Sequence, residues 1–459
     1  MRREFTVASH WKWLGVFALL LAVFLSALPV TAQEGGGEAV ATRLRYEDEN
    51  GDRQPVQGAT VRVERDGETI GEGTTDAEGN FELPVPGPGS YTLILDLATI
   101  PDGVFIRESG REVAVVEVLL EQTGRAIFAL STTPTVSPEA GDVGGVVSFS
   151  MRALVQLTVE GIKLGLFLAM AAIGLSLIFG TTGLTNFAHG EMIGFGMLMA
   201  YFFNFFGLAG VFGFLSGLPP PFGAGVNLII AIVIATALGG GLGWLMDRVI
   251  FMPLRTRGVS VIAQMVVTIG LAILIRYMYL FSFGGSPRFY ADYTAQAGIS
   301  IGMVTITPKD LISGLLSLMI LVGVGLFLNY TRMGKAMRAV SDNRDLAESS
   351  GIDVQRVIRF VWVSGGALAA LGGAFIGLSE QVAWNTGFRF LLLIFAGVIL
   401  GGLGTAYGAL VGCLLVGVGI QVSTLFIPTE LKNVGALAVL ILVLVFRPQG
   451  ILGRAERIG

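Results

Sequence analysis

From residue 155 to the C-terminus, the chain alternates long apolar runs with short polar segments. Each run approaches the roughly 20 residues that an α-helix needs to cross a bilayer. Six such runs stand apart from one another, at 161–180, 187–206, 226–246, 261–281, 311–328 and 357–378. The pattern predicts an α-helical polytopic membrane protein over this part of the chain.

The apolar segment 390–426 is too long for one crossing and is interrupted by glycines. It is either two crossings or a broken, re-entrant pair of helices. A last, short span is predicted at 434–446. The basic tail after it favours the cytoplasm, which requires two crossings in 390–426. The expected total is therefore eight or nine transmembrane helices.

The longest polar segment among these spans is 330–356, YTRMGKAMRAVSDNRDLAESSGIDVQR. Loops rich in Lys and Arg remain cytoplasmic, so this segment sets the predicted orientation of all the spans. One or two short helices are expected, with Gly351 as the C-cap of the first and Arg338 and Arg344 on its polar face. The segment either sets topology alone or, because small residues would allow close packing, also docks a partner.

The N-terminus has the features of a targeting segment. Residues 1–32 start with basic residues, continue with a 15-residue apolar stretch and end in a small-x-small motif. This pattern predicts a signal peptide, with an uncleaved anchor as the alternative. Both would place the following Gly-rich linker, 33–38, and the domain after it outside the cell.

Residues 39–131 alternate apolar and polar positions, most clearly at 61–64, 81–83 and 91–97, with turn signals between these runs. About seven short strands are expected, which favours a small all-β sandwich domain. A Pro/Ser/Thr-containing linker, 132–154, then leads to the membrane domain, 155–459.

Charge separates the same two parts. Residues 33–150 carry 8 Lys/Arg against 21 Asp/Glu, whereas residues 151–459 carry 19 against 12. An acidic domain does not attract nucleic acid, so no nucleic-acid partner is expected. The one cysteine, Cys413, lies in an apolar run and excludes a disulfide within the chain.

Motifs for soluble catalysis are absent from the sequence. There is no G-x-x-x-x-G-K-[ST] and no H-E-x-x-H. We therefore predict neither an enzyme nor a cofactor, and any energy source must come from a partner. Asp76 and Glu78 are conceivable calcium ligands, but a solvated turn is favoured and no metal site is predicted.

The informative polar residues lie in or beside the spans. Thr185 and Asn186 are expected to cap the second helix, and His189 and Glu191 follow within its first two turns. Ionisable groups at membrane depth are costly and are candidates for a translocation path. The alternative is that His189 and Glu191 lie near the cytoplasmic interface and serve only capping and packing.

Gln264 and Thr268 mark the fourth span as further path candidates, whereas Arg276 is expected to extend its side chain to the outer surface. The Gly-dense segment 398–412 either packs helices closely or forms a broken helix whose backbone groups face a substrate cavity. The path candidates in this segment are Gly401, Gly402 and Gly404.

Five stretches together resemble the branched-chain amino-acid (Liv-type) permeases of ABC transporters. They are AIGLSLIFGTTGLTNFAHGEM, DRVIFMPLR, YTRMGKAMRAVSDNRDLAESSGI, VILGGLGTAYGALVGCLLVG and LILVLVFRPQGILGR, in the order that the family has them. The resemblance implies a permease subunit in the plasma membrane, with a second permease, two ATPases and an extracytoplasmic solute-binding protein as partners. It also implies that the 330–352 loop docks the ATPase, through Gly334, Arg338, Ala339, Ala347, Glu348 and Gly351.

The N-terminal domain departs from that pattern. PVQGATVRVERDG, TTDAEGNFELPV and PGSYTL resemble the carboxypeptidase-regulatory-like or Cna-B-like β-sandwich, which implies a fold and little about function. Urea-transporting relatives also carry N-terminal extensions, so a urea or short-chain amide permease is the alternative to leucine, isoleucine and valine transport. A surface adhesion or sensor protein anchored by its spans is a third, less favoured reading.

Overall fold

The computed structural model describes residues 39–131 and 150–427 with gaps, and five positions beyond them. The gaps are 48–52, 66, 88, 102, 107–111, 119–122, 127, 129, 209–224, 286, 294–295 and 297, and the later positions are 434, 438, 441, 450 and 451. The predicted leader (1–32), the first linker (33–38), most of the second linker and most of the last span lie outside the described residues. The described residues fall into two compact units, 39–131 and those from 150 onward.

The first unit consists of β-strands. The described strands are β1 (Ala39–Arg43), β2 (Arg45–Glu47), β3 (Arg53–Pro55), β4 (Thr60–Arg65), β5 (Glu68–Thr74), β6 (Asn80–Pro84), β7 (Gly89–Leu95), β8 (Phe105–Ile106), β9 (Val113–Val118), β10 (Thr123–Ala126) and β11 (Leu130–Ser131). They form three sheets, in the orders β10-β1-β6, β3-β2-β11-β8 and β5-β4-β7-β9. The predicted alternating runs fall in β4, β6 and β7. The described strands outnumber the seven or so expected because four of them have only two or three residues.

Alternation creates one apolar core in this unit. Val61 and Val63 from β4 and Tyr91, Leu93 and Leu95 from β7 are buried, while the residues between them are more exposed. The core also includes side chains of the sheet that contains β1. The turn at Asp76 is closed by its own carboxylate, which accepts hydrogen bonds from the backbone N–H groups of Glu78 and Asn80.

The second unit is helical. Its helices are α1 (Met151–Thr182), α2 (His189–Phe206), α3 (Leu228–Thr256), α4 (Val261–Phe283), α5 (Pro308–Tyr330), α6 (Arg332–Asp342), α7 (Arg344–Ser349), α8 (Val354–Ser379), α9 (Thr386–Gly401) and α10 (Ala406–Ser423). Among the described residues, α1, α3, α4, α5, α8 and α10 are long and apolar enough to cross a membrane. This confirms a polytopic α-helical membrane protein, while the total of eight or nine spans stays a prediction.

The predicted segment 390–426 covers most of α9, which begins at Thr386, and all of α10, and the residues 402–405 separate the two helices. Helix α9 is apolar but has only 16 residues, so it measures about 24 Å. Glycines allow α9 and α10 to pack closely, since Gly397 faces Cys413 and Gly401 faces Gly408. Gly402 and Gly404 have φ angles of 115° and 79°, which form the break between the helices.

The polar segment 330–356 contains two short helices, α6 and α7. Gly351 has a φ of 84° and donates its N–H to the Glu348 carbonyl, so it ends α7. Its predicted place at the end of the first helix is therefore wrong. The first helix instead ends at Asn343, whose side chain accepts a hydrogen bond from Leu346 N–H and starts α7.

The connection between α4 and α5 is anchored in the bundle by Tyr290. Its hydroxyl lies 3.2 Å from the carbonyl oxygens of both Met197 and Ala374, which share its single proton in a bifurcated hydrogen bond. Burial raises the pKa of Tyr290, so the hydroxyl remains a neutral donor. The described part of this connection also contains a hairpin, β12 (Ile299–Ile301) and β13 (Val304–Ile306), held by two hydrogen bonds between Gln156 and the Thr305 backbone.

Candidate functional site

Helix α1 and helix α2 are joined by a non-helical segment, 183–188. Helix α1 ends where Gly183 takes a left-handed conformation and donates its N–H to the Phe179 carbonyl. Helix α2 begins with Ala188 as N-cap and has no side-chain cap. The predicted capping by Thr185 and Asn186 is therefore wrong, because the Asn186 side chain accepts a hydrogen bond from Ala188 N–H, ahead of the helix.

This segment lies alongside α4. Phe187 N–H donates to the Thr268 hydroxyl at 3.1 Å, and that hydroxyl donates to the Met265 carbonyl at 2.7 Å. Thr268 is seven residues along α4, so the contact lies about 10 Å from the start of the helix. Gln264, one turn earlier, donates to the Val259 carbonyl and closes the α3–α4 connection. Non-helical backbone of the segment thus lies beside the interior of a span.

The first polar side chains of this region are fully buried. His189 Nε2 lies 2.8 Å from the Ala171 carbonyl oxygen, so Nε2 carries the proton and Nδ1 is an acceptor. His189 Nδ1 and Asn186 Nδ2 have no hydrogen-bond partner among the described residues. Buried polar atoms are usually satisfied, so these two are available to water or to a ligand.

Glu191 pairs with an arginine from α4. Its Oε1 accepts hydrogen bonds from Arg276 Nε at 2.9 Å and Nη2 at 2.8 Å. The guanidinium also lies 3.8 Å from the centre of the Phe388 ring, and the Tyr279 hydroxyl donates to the Glu191 carbonyl. The predicted extension of Arg276 to the outer surface is therefore wrong, because its guanidinium is held within the bundle by a charge-assisted pair with the Glu191 carboxylate.

A second short helix begins at the same place. A Cβ on Gly190 would lie 2.8 Å from the Gly387 carbonyl oxygen, so the first turns of α2 and α9 are in backbone contact. Thr386, the first residue of α9, is fully buried, and Phe388 follows it. The first turn of each helix carries partial positive charge, and Glu191 lies in the first turn of α2.

The glycine candidates of the α9–α10 break lie at the other end of α9. Ser176 of α1 donates to the Thr405 carbonyl at 3.1 Å, and a Cβ on Gly180 would lie 3.0 Å from the Gly404 carbonyl oxygen. The described contacts therefore bring Asn186, His189, Glu191 and Thr268 together. Gly404 instead contacts α1, Gly401 faces Gly408 of α10, and Gly402 lies in the break between α9 and α10.

The candidate coupling residues divide between two faces of α6 and α7. Gly334 lies against the backbone of Leu328, and Ala347 is buried. Ala339 is half-buried, whereas the remaining three are exposed: Arg338, Glu348 and Gly351. Of these six residues, the three exposed ones are the most accessible to a partner protein.

Sequence reasoning missed four residues of the site: Arg276 as a partner, Tyr279, Thr386 and Phe388. The one signal available was charge, because Glu191 and Arg276 are opposite charges within apolar runs. Opposite charges in spans commonly pair with one another. Nothing in the linear order showed that α2, α4 and α9 meet there.

Comparison with known proteins gives consistent matches for the helical part. Residues 157–444 match the family described as branched-chain amino acid transport system / permease component. The high-affinity branched-chain amino acid transport system permease protein LivH of Salmonella typhimurium is 30% identical over 303 residues, which cover 65% of this chain and 94% of that protein.

Two further relatives match in the same way. The permease protein BraD of Pseudomonas aeruginosa is 30% identical and covers 66% of this chain and 96% of its own length. The probable LivH permease of Methanocaldococcus jannaschii is 28% identical, and the match covers 62% of this chain and 88% of that protein. No solved structure matches the chain.

Proposed function

This chain belongs to the family of branched-chain amino acid transport permeases, and from that premise we propose that it is the permease subunit of an ABC importer for leucine, isoleucine and valine. It is a multi-pass membrane component of a transporter rather than an enzyme. The substrate, the partner proteins and the orientation in the membrane are what we propose beyond family membership.

The observation that carries the proposal is the set of buried polar groups at the start of α2 within an apolar bundle. Asn186, His189, Glu191 and Thr268 are all at least nine-tenths buried. Their one acidic charge is matched by Arg276, so the region is balanced in charge. A small, net-neutral solute needs no further compensating charge there, and apolar walls suit an aliphatic side chain.

The proposed complex contains this chain, a second permease, two ATPases and an extracytoplasmic solute-binding protein. In this proposal the exposed residues Arg338, Glu348 and Gly351 face an ATPase in the cytoplasm. The β-unit lies on the opposite side of the membrane, where it modulates docking of the binding protein. Specificity is set in large part by that binding protein.

Uptake in cells with and without the gene tests the proposal. We expect loss of the gene to abolish uptake of labelled leucine and to leave uptake of labelled urea unchanged. Loss of urea uptake alone would instead support a urea permease and refute the branched-chain assignment. A complemented strain controls for effects on neighbouring genes.

A further inference from the structure

The ion pair between Glu191 and Arg276 lies inside the span of α4. Arg276 is 15 residues, or about 22 Å, from the start of α4 and seven residues, or about 10 Å, from its end. Charged groups at such depth are expensive even when paired, and apolar residues of similar volume often stabilise a protein as well. Stability alone therefore gives little reason to keep this pair.

The two partners still have unused capacity. Glu191 is 1% exposed, and its second oxygen, Oε2, has no hydrogen-bond partner among the described residues. Arg276 has five N–H donors, of which Nε and Nη2 point to Glu191 Oε1. The pair thus offers both an unfilled anionic acceptor and further cationic donors in one place.

The arginine is also accessible from one side. Its side chain is 17% exposed, and the Phe388 ring that it contacts is itself exposed, as is its neighbour in sequence, Tyr277. An arginine facing acyl chains at this depth would be unfavourable. A polar ligand at this face would satisfy the guanidinium, whereas lipid would not.

We propose that Glu191 and Arg276 form an exchange pair that binds the charged groups of a zwitterionic amino acid. Arg276 holds the α-carboxylate, and Glu191 holds the α-ammonium. This inference rests on the proposed function and names the chemistry that its site recognises. When the solute binds, each protein charge exchanges one opposite charge for another, so no charge is left unpaired.

The first turns of α2 and α9 strengthen this assignment. Their partial positive charge favours a carboxylate nearby, both for Glu191 and for the incoming solute. The ring of Phe388 holds the guanidinium plane through a cation–π contact while its partner changes. Urea has no charges to exchange, so inserting it would separate the pair without compensation. The pair therefore favours an amino acid over urea.

The decisive variant removes both charges at once. Glu191→Gln with Arg276→Gln keeps a hydrogen-bonding side chain at both positions, the second shorter than arginine, and leaves no unpaired buried charge. If the pair only supports the structure, the complex should assemble and transport leucine normally. We expect instead a complex that assembles, while leucine uptake into proteoliposomes with binding protein and ATP falls at least about tenfold.

A matched control is available in the same unit. Lys163 and Asp310 form another largely buried ion pair, with Nζ 3.1 Å from Oδ2. Lys163→Gln with Asp310→Asn removes the same two charges away from the site, and uptake should remain near the wild-type rate. Wild-type uptake by the Glu191/Arg276 double variant would overturn the exchange pair.

A second measurement does not depend on the folding of that variant. In a Cys413→Ala background, a cysteine introduced as Leu392→Cys lies one helical turn from Phe388. Saturating leucine should slow maleimide labelling at this position in the assembled complex, and urea should not. Equal labelling rates with and without leucine would overturn the inference. Absence of leucine uptake by the wild-type complex would refute the proposed function itself.

Discussion

Helices α1 and α8 differ sharply from α4 and α5 in burial, although all four are apolar. We compare the most apolar 18 residues of each helix. Of these residues, 78% are buried in α1 and 72% in α8, against 28% in α4 and 22% in α5. The mean hydropathy of the same residues does not follow burial. It is 2.2 for α1 and 1.7 for α8, and 2.0 for α4 and 2.5 for α5. Among the six candidate spans in the described chain, the most apolar, α5, is thus the least buried.

The difference shows what drives packing in a bilayer. Acyl chains solvate an apolar side chain about as well as protein does, so hydropathy selects the membrane and not the interior of the bundle. Close approach of backbones selects the interior. A Cβ on Gly174 of α1 would lie 2.7 Å from the Gly365 carbonyl oxygen of α8, whereas one on Gly270 of α4 would meet open space.

The largest expected effect comes from filling such a contact. At Gly373 of α8 an added Cβ would collide with the Ile193 carbonyl of α2, whereas at Gly314 of α5 no atom of the described chain lies within 4 Å. Gly373→Val should destabilise the protein by roughly 3 kcal/mol or more and reduce the yield of folded protein. Gly314→Val, its matched control, should leave yield and thermal stability in detergent near wild type.

A smaller effect is expected from truncating leucines. Leu168 of α1 is fully buried and Leu315 of α5 is exposed. Leu168→Ala should lower the free energy of unfolding by about 2–5 kcal/mol through a cavity. Leu315→Ala should change it by less than about 1 kcal/mol.

Equilibrium unfolding in mixed SDS micelles would measure both leucine variants. Equal losses would contradict the distinction between inner and outer helices. A large loss for Leu315→Ala only in the assembled complex would instead show that a partner subunit covers this face of α5.

The smallest effect on stability is expected from replacing Gly351, which lies in the polar segment between the outer helix α5 and the inner helix α8. Neither Gly351 nor Gly258 has an atom within 4 Å of an added Cβ, and both have positive φ angles. Gly351→Arg should leave membrane insertion normal and reduce co-purification of the ATPase, because a bulky charge would be desolvated at the proposed interface. Gly258→Arg serves as the control. If the ATPase co-purified equally with both variants, the segment 330–356 would only set the topology.

Much of the architecture followed from local pattern. Apolar runs near 20 residues located the helices, and period-two alternation located β4, β6 and β7. The glycine-dense stretch indicated an interruption within 390–426, and the structure has one at residues 402–405. These features are local, because span length, alternation and glycine φ angles depend on a few neighbouring residues.

Tertiary structure decided the remaining features. Arg276 pairs with Glu191, which lies 85 positions away in the sequence. The N-cap of α2 is Ala188 rather than Thr185 or Asn186. The separation of inner from outer helices also depended on which glycines met another backbone. The sequence alone determined that this chain enters a membrane, since transfer into lipid depends on each run's composition. Only the fold decided which helices pack inside and which charges pair, because those energies depend on contacts between distant segments.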